Sequence, residues 1–501
     1  MAEVNKCCWT SITFQIENRR QITNALAQCL RDKHIPFENM VGFCADTCNV
    51  MLGSKQSLSQ LIAQNHPWVV RVKCSCHTIH LCASHAASEL PKSVEDRCRN
   101  VFAHFSMSSK RQGHLAKFQE YFESEKHRII RPGVTRWLSM QACVDGLQEQ
   151  YDTLTRYFEL QVFEDPTHTN DAILTSFRNQ FTRAYLEFLS HNLQRLVSFN
   201  LLFQSKTPAL HKLEQVVKSL LRNVCGDFMN IHYVRQNEPL MMDLNDERNC
   251  VSLTKVYMGA RATITIASVT SDIGEQHPDV QQFYLTCQSY LIKLVTQIQK
   301  RFTDVGQYGF MAVISPSIAY NLSVPSLAGL YQKLAWLKNV VKLEEADPEW
   351  RSQATENGLS DTMGELEYWQ QVKKYKTVTG NAKYPKLAIV VGVLLSLPHS
   401  NASVERVFSQ LKLIKTDHRT ALKEESLFAL MTTRLETEKA NLPPNRTYAA
   451  ALQPTNVMLH LHKKMKANAN NDEARALREE FLFRERSLKI QGLDIDSASP
   501  E

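Results

Sequence analysis

The chain has 501 residues and 57.4 kDa, with 16 glycines, 17 prolines and 43% hydrophobic residues. That composition excludes collagen-like, low-complexity and mostly disordered chains, and it is poor in the turn formers an all-β protein of many short strands needs. The 58 Lys plus Arg against 51 Asp plus Glu leave a net charge of +7, which permits contact with a polyanion without demanding it.

Length allows roughly two to four domains. The longest apolar run, LAIVVGVLLSL at residues 387–397, ends at Pro398 and is too short to span a bilayer. The opening MAEVNK lacks the basic-then-apolar order of a secretory signal. A soluble intracellular protein is expected, with neither a membrane partner nor a small-molecule substrate. The 13 cysteines are an odd count without an export signal, so free thiols are the expectation.

In chain order, residues 14–32 carry a helical pattern, with Ile22, Leu26 and Leu30 spaced by four. A break at residues 34–37 leads into a buried-strand run over residues 40–46 that closes on Asp46. A helix is predicted to residue 63, opened by the GSKQS stretch at 53–57 and stopped at His66 and Pro67. Residues 68–74 then read as a second strand, and residues 77–90 as a helix ended by Pro91. Alternating strand and helix imply an α/β layer with parallel strands.

After residue 133 the pattern turns helical for roughly 250 residues. Leu213, Val216, Val217, Leu220, Leu221 and Val224 form one stripe; Phe283, Cys287, Leu291, Leu294, Ile298 and Phe302 form another. Breaks are expected at residues 164–166, 275–278 and 347–348. An apolar helix over 387–397 runs into a turn where Ser400 or Asn401 would cap the next helix. There Val404, Val407, Phe408 and Leu411 share a face with Glu405 at its edge. A further helix over 423–436 presents Leu427, Leu430, Met431 and Leu435, and the chain ends in a charged tail.

Four blocks, in order, resemble the hAT superfamily of DNA transposases and their domesticated relatives. They are VGFCADTCNVMLG at 41–53, CSCHTIHLCAS at 74–84, VTRWL at 134–138, and SNASVERVFS at 400–409 continuing to DHRTAL at 417–422. The resemblance implies an RNase H-like core, N-terminally incomplete, interrupted by a large α-helical insertion. The expected division is a partial core over 1–133, the insertion over 134–383, a C-terminal dimerisation region completing the core over 384–440, and the tail over 441–501. Val404, Val407, Phe408, Leu427, Leu430 and Met431 would form the dimer surface.

The family's chemistry uses three carboxylates to hold two Mg²⁺ or Mn²⁺ ions, which require oxygen ligands. Asp46 matches the second acid and Glu405 the third. The first has no candidate, since Asp32, Glu3, Glu17 and Glu38 precede Asp46 without lying on a strand, and no zinc-finger spacing precedes it either. The expectation is therefore a chain without strand-cleaving activity and without a cofactor. The alternative readings are a working transposase fragment and a protein-interaction scaffold. On the bland reading, Asp46 is a strand-end turn residue and Glu405 a helix N-terminal charge favoured by the macrodipole.

Cys74, Cys76, His77, His80, Cys82 and His85 crowd twelve residues. Their spacing on one helix disfavours a zinc knuckle, and by resemblance Cys74 and His77 act structurally. Arg136 and Trp137 would lie near DNA by resemblance, or anchor the helical region by packing. The resemblance also implies a homodimer, DNA or chromatin as partner, and the nucleus as location.

Overall fold

The computed structural model describes residues 19–53, 57–125, 128–132, 140–416, 426–427 and 430–431. Among the described residues the protein is mostly helical, with one two-stranded parallel sheet. The chain divides into two units, residues 1–406 and 407–501.

The first unit opens with α1 (Arg19–Asp32), β1 (Gly42–Ala45), the single turn α2 (Asn49–Leu52), α3 (Leu58–Asn65), β2 (Val70–Lys73) and α4 (Ser75–Ala87). The predicted strands are both present, each shorter than its apolar run. Ser57 starts α3 because its hydroxyl accepts the Gln60 N–H at 3.2 Å. β1 and β2 pair in parallel, Gly42 opposite Val70 and Ala45 opposite Lys73. On one face of the sheet, Phe43 and Ala45 pack with Leu58, Ile62 and Val69 in a small satellite core.

Two helices follow that the periodicity did not single out, α5 (Lys92–Ser106) and α6 (Ser109–Tyr121). Their buried positions include Arg97, His104 and Gln119, so polar residues interrupt the apolar stripe that a sequence pattern relies on. Beyond them come α7 (Met140–Glu149), α8 (Tyr151–Glu164), α9 (His168–Arg178), α10 (Gln180–Gln204), α11 (Leu213–Cys225), α12 (Ile231–Gln236), α13 (Ala260–Ile273) and α14 (Pro278–Arg301). The α11 and α14 stripes are buried as their spacing requires: Val217, Leu221 and Val224 on α11, and Phe283, Cys287, Leu291, Leu294 and Ile298 on α14, are fully enclosed. α10 packs against α4, α7 and α13, and α14 packs against α4. Gly259, at φ 89°, lets the start of α13 approach α10, because a Cβ there would meet His191 Cβ at 2.7 Å.

The last elements are α15 (Pro316–Tyr320), α16 (Ala328–Lys333), α17 (Leu343–Gln353), α18 (Glu365–Lys374), α19 (Pro385–Ser396) and α20 (Ala402–Ile414). The expected break at residues 347–348 is not one, since Pro348 lies inside α17. Tertiary contacts offset the N–H that Pro348 lacks. Asp347 Oδ1 accepts the Leu327 N–H at 2.6 Å and the Ser326 hydroxyl at 2.9 Å, while buried Trp350 donates Nε1–H to Val324 O at 2.9 Å. α17 also holds α19, through Glu349 Oε2 accepting the Leu387 N–H (2.7 Å) and Glu345 pairing with Lys386 (3.1 Å).

One hydrophobic core runs without interruption from Val72 to Leu397, crossing residue 133 where the sequence pattern changes. The boundary between the two units falls within α20, and residues 426–427 and 430–431 of the second unit are helical. The remainder of the 423–436 helix and the charged tail lie outside the described residues. Among the described residues no helix is long and apolar enough to cross a membrane.

Burial in this core holds two histidines neutral. His104, against the Tyr157 hydroxyl at 3.1 Å, has its pKa pushed down to about 4 by burial and then by the Arg111 charge; His191 falls to about 4 by burial and the Arg195 charge. Above pH about 6.5 these rings are neutral in both folded and unfolded chains. As pH falls from there towards 4, the unfolded chain takes protons that the fold refuses, so stability falls. Chemical denaturation at pH 7 and pH 5 should show that loss, and His104→Gln should make it shallower. An unchanged pH dependence in the variant would remove His104 as a cause.

Candidate functional site

Parallel pairing sets the C-terminal ends of β1 and β2 side by side, the position where side chains and loops of an α/β layer converge. The pairing continues one step past the strands, as Cys74 N–H donates to Ala45 O at 2.8 Å. Asp46 therefore leaves β1 beside Cys74 leaving β2. The Asp46 carboxylate accepts the Cys48 N–H at 3.3 Å, the short-range bond of an Asx turn.

Cys74 is the N-cap of α4, and its Sγ accepts the His77 N–H at 3.5 Å. The Cys-x-x-His spacing is thus that of an N-cap and the third helical residue. What links the pair is the His77 backbone, not its imidazole. Thr78 Oγ1 donates to Cys74 O at 2.9 Å, tightening the same turn.

Residues 397–406 return to this place after the whole helical region. Gly42 admits them, because a Cβ on it would meet Pro398 Cδ at 2.6 Å and Leu397 Cδ2 at 3.0 Å. Ser75 Oγ donates to His399 O at 2.9 Å, and Asn401 N–H donates to Cys74 Sγ at 3.2 Å. In the amide orientation that satisfies both neighbours, Asn401 Nδ2 donates to Cys44 O (2.9 Å) and Oδ1 accepts the Asp46 N–H (3.1 Å). Asn401 directly precedes α20, but its amide serves the strand. Ser400 Oγ instead lies 3.4 Å from the Ala402 N–H.

The same segment caps α10, whose last carbonyls have no partners inside the helix. Ser400 Oγ donates to Phe203 O at 2.6 Å and Arg406 Nη1 donates to Gln204 O at 3.0 Å, while the Cys76 thiol faces Asn200 O at 3.7 Å. Glu405 follows one turn into α20, its N–H donating to Asn401 O at 2.9 Å.

Three thiols gather at this junction. The neighbouring Cys44 and Cys76 thiols, and after them the Asn401 and His77 N–H groups, hold the Cys74 pKa well below the usual thiol range. Cys44 and Cys76 are pushed up, first by donating to Cys74 and then by burial. The charges of Asp46 on Cys44 and of Glu405 on Cys76 push the same way. Both predicted acids thus border one sulfur cluster from opposite ends of the sequence. The cluster runs as a chain through Cys74, and among the described residues no group of three or more His, Cys, Asp or Glu could hold a metal ion.

Arg136 and Trp137 lie outside the described residues. Val404 and Val407 on α20 are half-buried and Phe408 is 45% exposed. In the second unit Leu427 is half-buried, Leu430 is exposed and Met431 is buried. The residues that sequence reasoning passed over are those that build the junction: Ser75, His399 and Arg406. Asn401 was legible only as a cap. The one sequence signal was the polar HSN run after Pro398.

Residues 344–437 match the model of the hAT family C-terminal dimerisation region. The match starts at the head of α17, the helix that holds α19 through Glu345 and Glu349. No curated protein matches the chain.

Asn401→Ala removes two side-chain bonds to the β1 terminus and leaves a carbonyl and an N–H to re-solvate. The expected cost is about 1–3 kcal/mol, read by chemical denaturation, with faster amide exchange at Asp46. A variant as stable as the parent would show that the Asn401 amide does not tie the two segments together.

Proposed function

We propose, from the match of residues 344–437 to the hAT family C-terminal dimerisation region, that the chain is a transposase-derived, dimerising nuclear protein that associates with DNA or chromatin without cutting it. The family match is the observation that carries the dimerising part.

The non-cutting part rests on the donor set. A pair of hard divalent ions needs several carboxylate oxygens converging on them. The junction offers Asp46 and Glu405, with the first engaged in its own turn, and interposes three sulfurs between strand ends and helix. Thiolate is a poor ligand for Mg²⁺ or Mn²⁺. This set does not fit the metal pair, and no step of strand cleavage is assigned to it. The role left to residues 397–406 is architectural: they tie α20, which lies within the dimerisation region, to the sheet.

Purified protein with Mg²⁺ or Mn²⁺ should leave supercoiled DNA intact; metal-dependent nicking abolished by Glu405→Ala would overturn the inactive assignment. Light scattering should give the mass of a dimer. Phe408 is exposed, so Phe408→Glu should leave the fold intact and shift the protein towards monomer, whereas an undisturbed dimer would take Phe408 out of the interface.

A further inference from the structure

A second charged feature lies on the face shared by α4 and α14. Lys293, Gln297, Lys300 and Arg301 recur at the three-, four- and seven-residue steps of one helix face. They stand beside His85 in the last turn of α4, which packs against α14. His85 and Lys300 are exposed, and Lys293 and Arg301 half-buried. Lys293 pairs with Glu89 at 3.3 Å, and Arg301 Nε bonds Gln297 Oε1 at 3.2 Å. Among the described residues, neither Lys300 nor Arg301 meets a carboxylate. The crowding has a measurable consequence: burial, then the charges of Arg301, Lys293 and Lys300, push the His85 pKa below its ordinary value.

The helix dipole explains cations in the last turn of α14, where they stabilise the C-terminus. Lys293, two turns earlier, is paired with Glu89, and all three cations lie against a histidine whose pKa is lowered first by burial and then by their charges. Like charges held this close cost stability unless an anion lies over them. The face is exposed at His85 and Lys300 and spreads its cations along a helix. Those are the features that suit a row of phosphates more than one small anion.

We propose that His85, Lys293, Lys300 and Arg301 form a docking surface for the phosphate backbone of a DNA duplex. The inference rests on the DNA-association reading above and adds the surface that carries it. α4 joins this surface to the junction. His85 stands nine residues beyond Cys76, about 14 Å along the helix axis, or about four base-pair steps. Contact is with the backbone and carries no sequence preference of its own.

The test is fluorescence anisotropy of a labelled duplex with the full chain, from about 50 to 200 mM salt. It compares the parent, the triple variant Lys293→Gln, Lys300→Gln and Arg301→Gln, and a charge-matched control, Lys333→Gln, Lys338→Gln and Lys376→Gln, on exposed lysines elsewhere. The patch variant should bind roughly ten-fold or more weakly and lose about 2–3 from the slope of log affinity against log salt. The control should stay near the parent, and circular dichroism and melting should be unchanged in both.

A patch variant matching the control overturns the surface while DNA association stands. A parent that does not bind duplex at all overturns the DNA-association reading together with the surface. If the patch variant instead loses only its binding to phosphatidylserine vesicles, the partner is a membrane and the proposal is wrong.

Discussion

Backbone groups at the ends of β1 and α10 have no partners within their own elements, and one returning segment supplies them. A parallel strand pair of four residues each cannot stand alone, and a 25-residue helix leaves its last carbonyls open. Residues 397–406 answer both needs. Asn401 bonds the β1 terminus, Ser75 bonds the His399 carbonyl, and Ser400 and Arg406 close the end of α10. Each bond contributes of order 1 kcal/mol, but together they fix the start of α20 against the sheet. Glu405 follows within one turn, so these bonds help to set where its backbone lies, its N–H donating to Asn401 O.

The sulfur cluster extends the same logic. Cys74 is at once strand end, helix cap and acceptor for the Asn401 N–H. Its sulfur accepts the Asn401 and His77 N–H groups, which favours the thiolate while burial opposes it. The charges of Asp46 and Glu405 act on Cys44 and Cys76 in the same cluster, and sulfur so placed separates the junction's chemistry from that of a hard-metal site.

On the functional side, the C-terminal match and the basic face of α4 and α14 address different surfaces. One is the region of residues 344–437, which starts at α17 and includes α20. The other is a row of cations at the far end of the helix that starts at the junction. α4 is the mechanical link, since it begins at Cys74 and ends beside Arg301.

Much of the fold was legible in the residues alone, because it depends on local periodicity. The α11 and α14 stripes, both short strands, the break before Pro278 and the apolar helix before Pro398 follow from spacing and from proline. The helices at 92–121 were not legible, because buried Arg97, His104 and Gln119 break the apolar pattern there. Pro348 inside α17 was not legible either, since Asp347 and Trp350 hold that helix through residues twenty or more positions away. Of the candidate site, the sequence determined its ingredients: Asp46 at a strand end, Cys74 before a helix, and a polar turn before Glu405. Only the tertiary structure decided that Asn401 serves β1 in place of its own helix and that Ser400 and Arg406 close α10. Those bonds join residues separated by about two hundred positions or more, and no local propensity encodes which distant carbonyl a side chain will find.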